Sequence, residues 1–406
     1  MKVERHREII WWLKRQGVAK VAWLATQLGV TPETIRADLN ELSDKGLITR
    51  CHGGAVMEMN ALGDVAQEEI IRCLSHDILS VDYGMENELM KTKVCVLGSF
   101  NVDMISYLPR FPMPGESLLT TQFLFSAGGK GSNQALAVSR AGAYVHFIAK
   151  VGTDQFSSYA TDYISSSGIQ SSTLYQSEEH QTGTALIFVE QASGENMIAI
   201  TPGANMAISA QEVRMQQDKI AQANIILLQL ETNKEALREI IAIGQEKSIP
   251  VMLNPAPYSD VVNELIGQLD YLTPNQTEAS LISGIDITDE DSARKAAEVI
   301  HRQGVGTVII TLGLNGSVAF DGENFIHTPA FPAVVKNTAG AGDAFSGSLA
   351  AALAKGEPLK YALCYASAFA SLAVETNSAS DMPEDAAVMG RIAQNRLAQR
   401  VTAVSA

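Results

Sequence analysis

From Lys93 onward the chain repeats one unit: a short apolar run, a polar or glycine punctuation, then a stretch of helical period. The runs are "KVCVLGSF", "VHFIAKVG", "NIILLQL", "PVMLNPAP", "DYLTPN" and "TVIITLG". Stretches such as "NKEALREIIAIGQEK" and "DSARKAAEVIHRQG" intervene, with apolar residues recurring every three or four positions. Runs that are apolar throughout, rather than alternating, suit strands buried on both faces. The alternation therefore predicts an α/β body, a parallel sheet covered by helices on both sides. Two stretches break the pattern. "ESLLTTQFLFSAGG" and "TGTALIFVEQASGENMIAITPG" read as extended hairpin strands, the second turning at Ser193-Gly194, and predict a small β lid over one edge of the sheet. Open α/β sheets bind ligands beyond the carboxyl ends of their strands, so the residues after each apolar run are the candidates for chemistry.

A chain of 406 residues is too long for one ordinary core. Residues 1–57 form a distinct head, 58–91 an acidic, weakly periodic linker, and 92–400 the body. In the head, a first helix is expected from about Val3 to Arg15, with Ile9, Ile10 and Leu13 inward, and a second along "VAWLATQLG". The third starts with Thr31 as its cap, Pro32 at its first position and Glu33 near the dipole's positive end. Ile35, Leu39 and Leu42 recur at i, i+4 and i+7, which leaves Thr34, Arg36 and Asn40 pointing away from that stripe. Helix, tight turn and helix with an outward Arg is the geometry of major-groove reading. "GLITRCHGGAV" then suits a short β wing, with Arg50 and His52 placed to meet phosphates. The same pattern also suits a plain three-helix interaction module.

Charge separates the two parts. Residues 1–55 hold nine Lys and Arg against six Asp and Glu, a net +3, so the remainder carries −18 of the overall −15. A nucleic acid would meet the head and be repelled by the body. At 46% hydrophobic and 18% charged residues the composition is globular. No apolar run approaches the roughly 20 residues of a membrane span. The charged start "MKVERHREIIWWLKRQG" argues against a secretory signal. Cys51, Cys73, Cys95 and Cys364 make no CxxC pair and read as reduced thiols, so a cytoplasmic location is expected.

Within the body, "NTAGAGDAF" runs into the helical "SGSLAAALAKG". Small residues at Gly340, Ala341 and Gly342 let backbone amides converge where that helix begins, a nest suited to phosphoryl oxygens. Asp343 beside it can take a proton from an attacking hydroxyl, or can simply cap the helix. "SAGGKGSNQA" is not a P-loop, because Gly131 rather than Ser or Thr follows Lys130. It offers a tight turn with Lys130 and Asn133 on its rim, donors for sugar hydroxyls or ordinary loop residues. In "LGSFNVDMI", Asn101 and Asp103 stand two apart on one side, where a carboxylate can grip a vicinal diol or make an Asx turn. Glu231 closes "NIILLQLE". Asn275 and Glu278, in "TPNQTEA", would share a helical face and hold hydrated magnesium. Thr311 and Gly313 lie in "TLGLNG", a turn open enough for a nucleotide.

These motifs carry two resemblances. "TIRADLNEL" followed by "HGGA" resembles the winged helix-turn-helix of the DeoR family of bacterial sugar-operon regulators, across about residues 3–57. That implies binding to a double-stranded DNA operator, with Ala37 standing where the family usually has a second basic residue. "GSFNVD", "PGES", "AGGKGSNQA", "TGTALIFV", "NPAP", "TPNQTEA", "TLGLNG" and "GAGDAF" occur in the order of the PfkB family of carbohydrate kinases. The body, about residues 93–398, closely resembles that family and its ribokinases in particular.

The resemblance implies a ribokinase-like fold using ATP and Mg2+ on a pentose. Asn101, Asp103, Gly129, Lys130, Asn133 and Glu231 would bind the sugar. Asn275 and the turn from Thr311 through Gly313 to Gly316 would bind ATP. Asp343 would be the base, and Gly340, Ala341 and Gly342 the anion hole. It also implies a monovalent-cation site, normally potassium, around Asn337, Ala339, Ala373 and Ser378. That site is degraded: Asn337 stands where ribokinases place Asp, and Ser378 where they usually have Gly. Potassium stimulation is therefore expected to be weak. Ribokinase-like lids pair through exposed strands and winged heads use paired half-sites, so a homodimer is expected. The fusion implies a bifunctional sugar kinase and regulator, or a regulator whose kinase fold only senses a ligand.

Overall fold

The computed structural model describes residues 5–6, 9–10, 13, 18–28, 30–45, 48–51, 54–56, 92–193 and 195–404. The linker expected at 58–91 lies outside the described residues, as does His52. The chain divides into two compact units, Met1–Asn87 and Glu88–Ala406.

In the first unit, β1 (Val18–Lys20), β2 (Thr49–Cys51) and β3 (Gly54–Val56) form a sheet in the order β1-β3-β2. Helices Val21–Gln27 and Pro32–Asp44 pack beside it, and Arg5, His6, Ile9, Ile10 and Leu13 are helical as expected. Thr31 accepts from the Thr34 N–H at 3.3 Å, so the anticipated cap forms. Ile9, Leu13, Leu24, Ile35, Leu39 and Leu42 close the core. Two features escape the sequence pattern. "VAK" at 18–20 is a strand because the later wing segment pairs with it, Val18 opposite Val56. Asp38, on the inward face, is buried and takes Arg5 Nη2 at 3.1 Å and His6 Nε2 at 2.9 Å. A buried carboxylate would cost several kcal/mol without such partners.

The second unit is built on a mostly parallel sheet. The chain runs through β4 (Lys93–Leu97), β5 (Asn101–Leu108), β6 (Gln122–Gly128), β7 (Tyr144–Val151) and β8 (Ser171–Gln176). It continues through β9 (Gly183–Glu190), β10 (Asn196–Thr201), β11 (Ile225–Gln229) and β12 (Val251–Asn254). It ends with β13 (Tyr271–Leu272), β14 (Thr307–Thr311), β15 (Ser317–Phe320) and β16 (Phe325–Thr328). The large sheet has the order β16-β15-β14-β13-β12-β11-β4-β7-β8, parallel from β14 to β8. The two-residue alternation of a strand divides its side chains between two cores. Val94, Val96, Ile225 and Leu227 face the helices Lys130–Arg140 and Ala341–Ala354. Cys95, Leu97, Ile226 and Leu228 face the helices Lys234–Lys247 and Glu290–Arg302. Both faces are thus covered, as continuous apolar runs require.

β7 and β8 extend the sheet to one side of β4, and β11 to β14 to the other. The reversal creates a crevice at the carboxyl ends of β4 and β11, where α/β sheets bind ligands. A second sheet, β10-β9-β5-β6, forms the lid. Its central strand departs from the local pattern. "NVDMISYL" reads as a turn after β4, yet it is β5, parallel to β9 and antiparallel to β6. Conversely, the expected extended stretch at 116–121 is not strand, and only Gln122–Gly128 is.

Candidate active site

Four of the anticipated groups meet in the crevice. Gly340 adopts φ +79°, turns the chain, and starts the helix Ala341–Ala354. A Cβ there would lie 2.8 Å from the Ala379 carbonyl oxygen, so glycine is required by both angle and space. At Gly342 a Cβ would meet no protein atom within 4 Å, so the packing itself leaves room beside the helix end. The first turn of any helix leaves N–H groups without intrahelical acceptors. Ala341 N–H already donates to Thr338 O at 3.2 Å, so it is not a free donor as the motif suggested.

Asp343 follows on this turn and is buried. Asn133 Nδ2 donates to its Oδ2 at 3.2 Å and Gln134 Nε2 to its Oδ1 at 3.0 Å. Both amides come from the helix Lys130–Arg140, whose entry at Gly129 has φ +90°. Gln134 is not among the sequence candidates, although it lies inside "GKGSNQA". It also donates to Asn254 Oδ1 at 3.0 Å and accepts from Gln229 Nε2 at 2.6 Å. Asn254 in turn donates to Thr273 O at 2.8 Å. Asp343 therefore stands on a buried chain of amides that reaches across β11, β12 and the end of β13. The visible signal was polar residues ending otherwise apolar runs, Gln229 in "IILLQ" and Asn254 in "VMLN".

Asn101 and Asp103 point the same way along β5, as the period of two requires. Asn101 is buried, and Asn205 Nδ2 donates to its Oδ1 at 2.8 Å. Asn205 is a further residue that sequence reasoning missed. It fixes the amide so that the Asn101 carbonyl is already used. Asp103 is half-buried on the lid, with Gly128 beneath its carboxylate. Burial, then the charges of Glu231 and Asp343, push its carboxyl up to about 7. Glu231 is tied down by Ser99 Oγ and by the Lys130 N–H at 3.0 Å. Lys130 is held above its usual range, chiefly by the charge of Asp343 and further by Glu231 and Glu278. Three carboxylates thus surround one ammonium.

A cavity of about 210 Å³ opens from Asp343 toward the nucleotide candidates, lined by Lys130, Asn275, Glu278, Thr311, Gly340 and Gly342 among others. Asn275 and Glu278 come together as anticipated, but Asn275 precedes the helix rather than lying on it. It caps the helix Gln276–Ser283: its Oδ1 accepts from Glu278 N at 2.8 Å, and Glu278 Oε2 accepts from Asn275 N at 2.9 Å. Burial raises the Glu278 carboxyl. A carboxylate in this cavity fits a hydrated magnesium arriving with phosphates, which needs few protein ligands. Gly313 and Gly316 shape the turn after β14, beside Thr311.

The residues of the expected monovalent-cation site bond to protein groups. Asn337 Oδ1 accepts from Ala339 N at 2.9 Å, and its Nδ2 donates to Asn377 O at 3.3 Å. The Ala373 carbonyl accepts from Thr376 N at 3.1 Å and Thr376 Oγ1 at 2.8 Å. The Ser378 carbonyl accepts from Thr376 Oγ1 at 3.0 Å and Asp381 N at 3.1 Å. The one Thr376 hydroxyl proton serves either the Ala373 or the Ser378 carbonyl, so the other keeps a lone pair. Protein donors hold the two loops together.

In the head, Arg36 and Asn40 are exposed and Thr34 is partly so. Arg36 pairs with Glu33 at 2.9 Å. Arg50 is not extended from the wing: it donates to Asn40 Oδ1 and to Arg36 O, so wing and recognition helix present one surface.

Both parts of the chain resemble known proteins. Residues 91–386 match the model of the pfkB family carbohydrate kinases, and residues 5–60 that of the DeoR-like helix-turn-helix domain. The chain belongs to the PfkB family of carbohydrate kinases. It is 36% identical over 291 residues to a ribokinase of Haemophilus influenzae, covering 71% of this chain and 94% of that protein. It is 32% identical over 282 residues to a deoxyribokinase of Salmonella typhi, covering 69% and 92%. An Arabidopsis thaliana ribokinase solved with ribose and ATP aligns with a TM-score of 0.69 at 29% identity, covering 74% of this chain and 98% of that one. The body is therefore a ribokinase-like carbohydrate kinase, preceded in the chain by a DeoR-like helix-turn-helix domain. Among the described residues no helix is long and apolar enough to cross a membrane.

Proposed function

We propose that the body transfers the γ-phosphoryl group of ATP to the O5 hydroxyl of D-ribose, and that the head binds an operator and regulates a sugar-use operon. The observation that carries this reading is Asp343, fixed by two amides at a helix start, facing a cavity bordered by Glu278 and Asn275. Asp103, Asn101, Asn133, Lys130, Gly129 and Glu231 would hold the sugar, with Asp103 accepting from adjacent hydroxyls. Asp343 takes the O5 proton as the O5–phosphorus bond forms and the bond to the β,γ-bridging oxygen breaks, releasing ADP. General-base assistance of this kind contributes about 10²–10⁴ in rate. The N–H groups of Gly340, Gly342 and Asp343 would steady the equatorial oxygens in transit. Asn275, Thr311, Gly313 and Gly316 would seat the nucleotide. Magnesium held through water at Glu278 would neutralise phosphate charge.

A ribokinase and a deoxyribokinase among the relatives support a pentose without choosing between them. Steady-state ATP consumption with ribose, 2-deoxyribose and other pentoses tests the reading. Turnover on ribose above all others is expected, and no turnover on any pentose would leave the second reading, a regulator that only senses its ligand. The altered residues at Asn337 and Ser378 favour that second reading.

The exposed apolar residues Phe123, Phe125, Met197, Ile198 and Ile200 on the outer lid strands support a homodimer formed through the lid. A monomer by light scattering at micromolar concentration would refute it. Cys95 is buried as a thiol outside any disulfide, which suits a reducing cytoplasm.

A further inference from the structure

At the opposite end of the large sheet, the amino ends of β4, β7 and β8 border a second cavity of about 240 Å³. Lys93, Tyr144, His146, Ser171, Lys219 and Gln222 line it. Lys93 Nζ lies 5.6 Å over the Tyr144 ring and donates to Gln222 Oε1 at 2.7 Å. Lys219 Nζ reaches only the hydroxyl of Thr173, at 3.4 Å. Among the described residues, neither ammonium is in an ion pair. His146 is 6% exposed, its Nδ1 hydrogen-bonds Ser171 Oγ at 2.8 Å, and its buried Nε2 has no partner. Burial, then Lys219, push this ring down to about 4, so it is neutral at pH 7. Two ammonium groups without an anionic partner among the described residues border the same cavity, and they suit an anion.

We propose that this cavity is a second ligand site that takes a small phosphate-bearing anion, either inorganic phosphate or a phosphomonoester. Lysines act as point charges toward phosphate. The volume lies below the roughly 300 Å³ of drug-sized pockets, so the ligand is small. Lys93 opens β4, and β4 leads to Ser99, which donates to Glu231 of the catalytic crevice. At about 3.3 Å per residue one strand, roughly 16 Å, joins the two sites.

The inference does not rest on the proposed reaction, and its test is a binding measurement. Inorganic phosphate and ribose 5-phosphate are titrated calorimetrically into the full chain and into the Lys93→Met/Lys219→Met variant. The double variant should lose one class of sites, at least tenfold in Kd, with turnover in phosphate-free buffer unchanged. Lys93→Gln and Lys219→Gln, tested singly, should each weaken the same class severalfold, and they carry the test if the double variant melts early. A lysine-dependent site for inorganic phosphate alone identifies free phosphate as the ligand, and one for both identifies the monoester. Isotherms that coincide for the wild type and all variants with both ligands would overturn the proposal.

Discussion

Sugar affinity should fall steeply as the medium is acidified through neutrality, because Asp103 must be ionised to accept from two hydroxyls. Its carboxyl is pushed up to about 7, first by burial and then by Glu231 and Asp343. For one proton blocking one site, the apparent Kd is the limiting value multiplied by one plus the protonated-to-ionised ratio. With a value near 7, the Kd should be about twofold above its limit at pH 7 and about elevenfold above it at pH 6. Between pH 8 and pH 6 that is a factor of about ten, or ~1.4 kcal/mol. The linked effect on stability has the opposite trend. The folded carboxyl sits above its unfolded value, so the ligand-free fold holds an extra proton between about pH 4 and pH 7 and loses that contribution as pH rises through 7. Calorimetric titration of ribose without nucleotide, at half-unit steps from pH 5.5 to 8.5, measures the first effect directly. Asp103→Asn should flatten the profile at a uniformly weak affinity, and Asp103→Ala should cost about 2–3 kcal/mol of sugar binding. A wild-type Kd that stays constant from pH 6 to 8 would refute both the burial argument and the role of Asp103.

Further outcomes follow from other residues. Asp343→Asn should lower kcat by several orders of magnitude in steady-state assays while the calorimetric sugar Kd changes little, since a base acts mainly in the transition state. Gln134→Met removes the amide that orients Asp343 and should reduce kcat about 10- to 100-fold with sugar KM nearly unchanged; an equal rise in KM would make Gln134 a sugar contact instead. Arg36→Ala should weaken operator binding in gel-shift titrations, reduce its salt slope by about one, and leave kinase rates intact. Titrating potassium into buffer free of sodium and potassium should change kcat little, and a large rise would show that the Thr376 and Asn337 hydrogen bonds yield to the ion.

The architecture was legible where one local pattern suffices. Six apolar runs punctuated by glycine or polar residues became strands β4, β7, β11, β12, β13 and β14, because a strand buried on both faces carries its signature within its own residues. Thr31, Pro32 and the Ile35-Leu39-Leu42 stripe were equally local. What escaped depends on partners distant in sequence. Val18–Lys20 is a strand only because Gly54–Val56 returns to it, and Asn101–Leu108 is one only because Gly183–Glu190 lies alongside. Asp38 sits on a core face that pattern alone would deny to a carboxylate, and only Arg5 and His6 make that placement tolerable.

The site divides in the same way. Residues that touch open space announce themselves through composition, because glycine, lysine and carboxylate beyond a strand end add little to a packed core. Residues that orient them, Gln134, Gln229, Asn254 and Asn205, are buried amides, and a buried amide in an apolar run resembles a packing fault until its partner is known. Gln134, Gln229 and Asn254 bond to one another, and Asn205 to Asn101 and the Phe100 backbone, so removing one leaves its neighbour unsatisfied. The cation loops show the converse. The replacements at Asn337 and Ser378 were visible in the sequence, but not that Thr376 and the Asn337 amide would engage the carbonyls themselves. A substitution read alone says which interaction is lost, and the surrounding donors decide what replaces it.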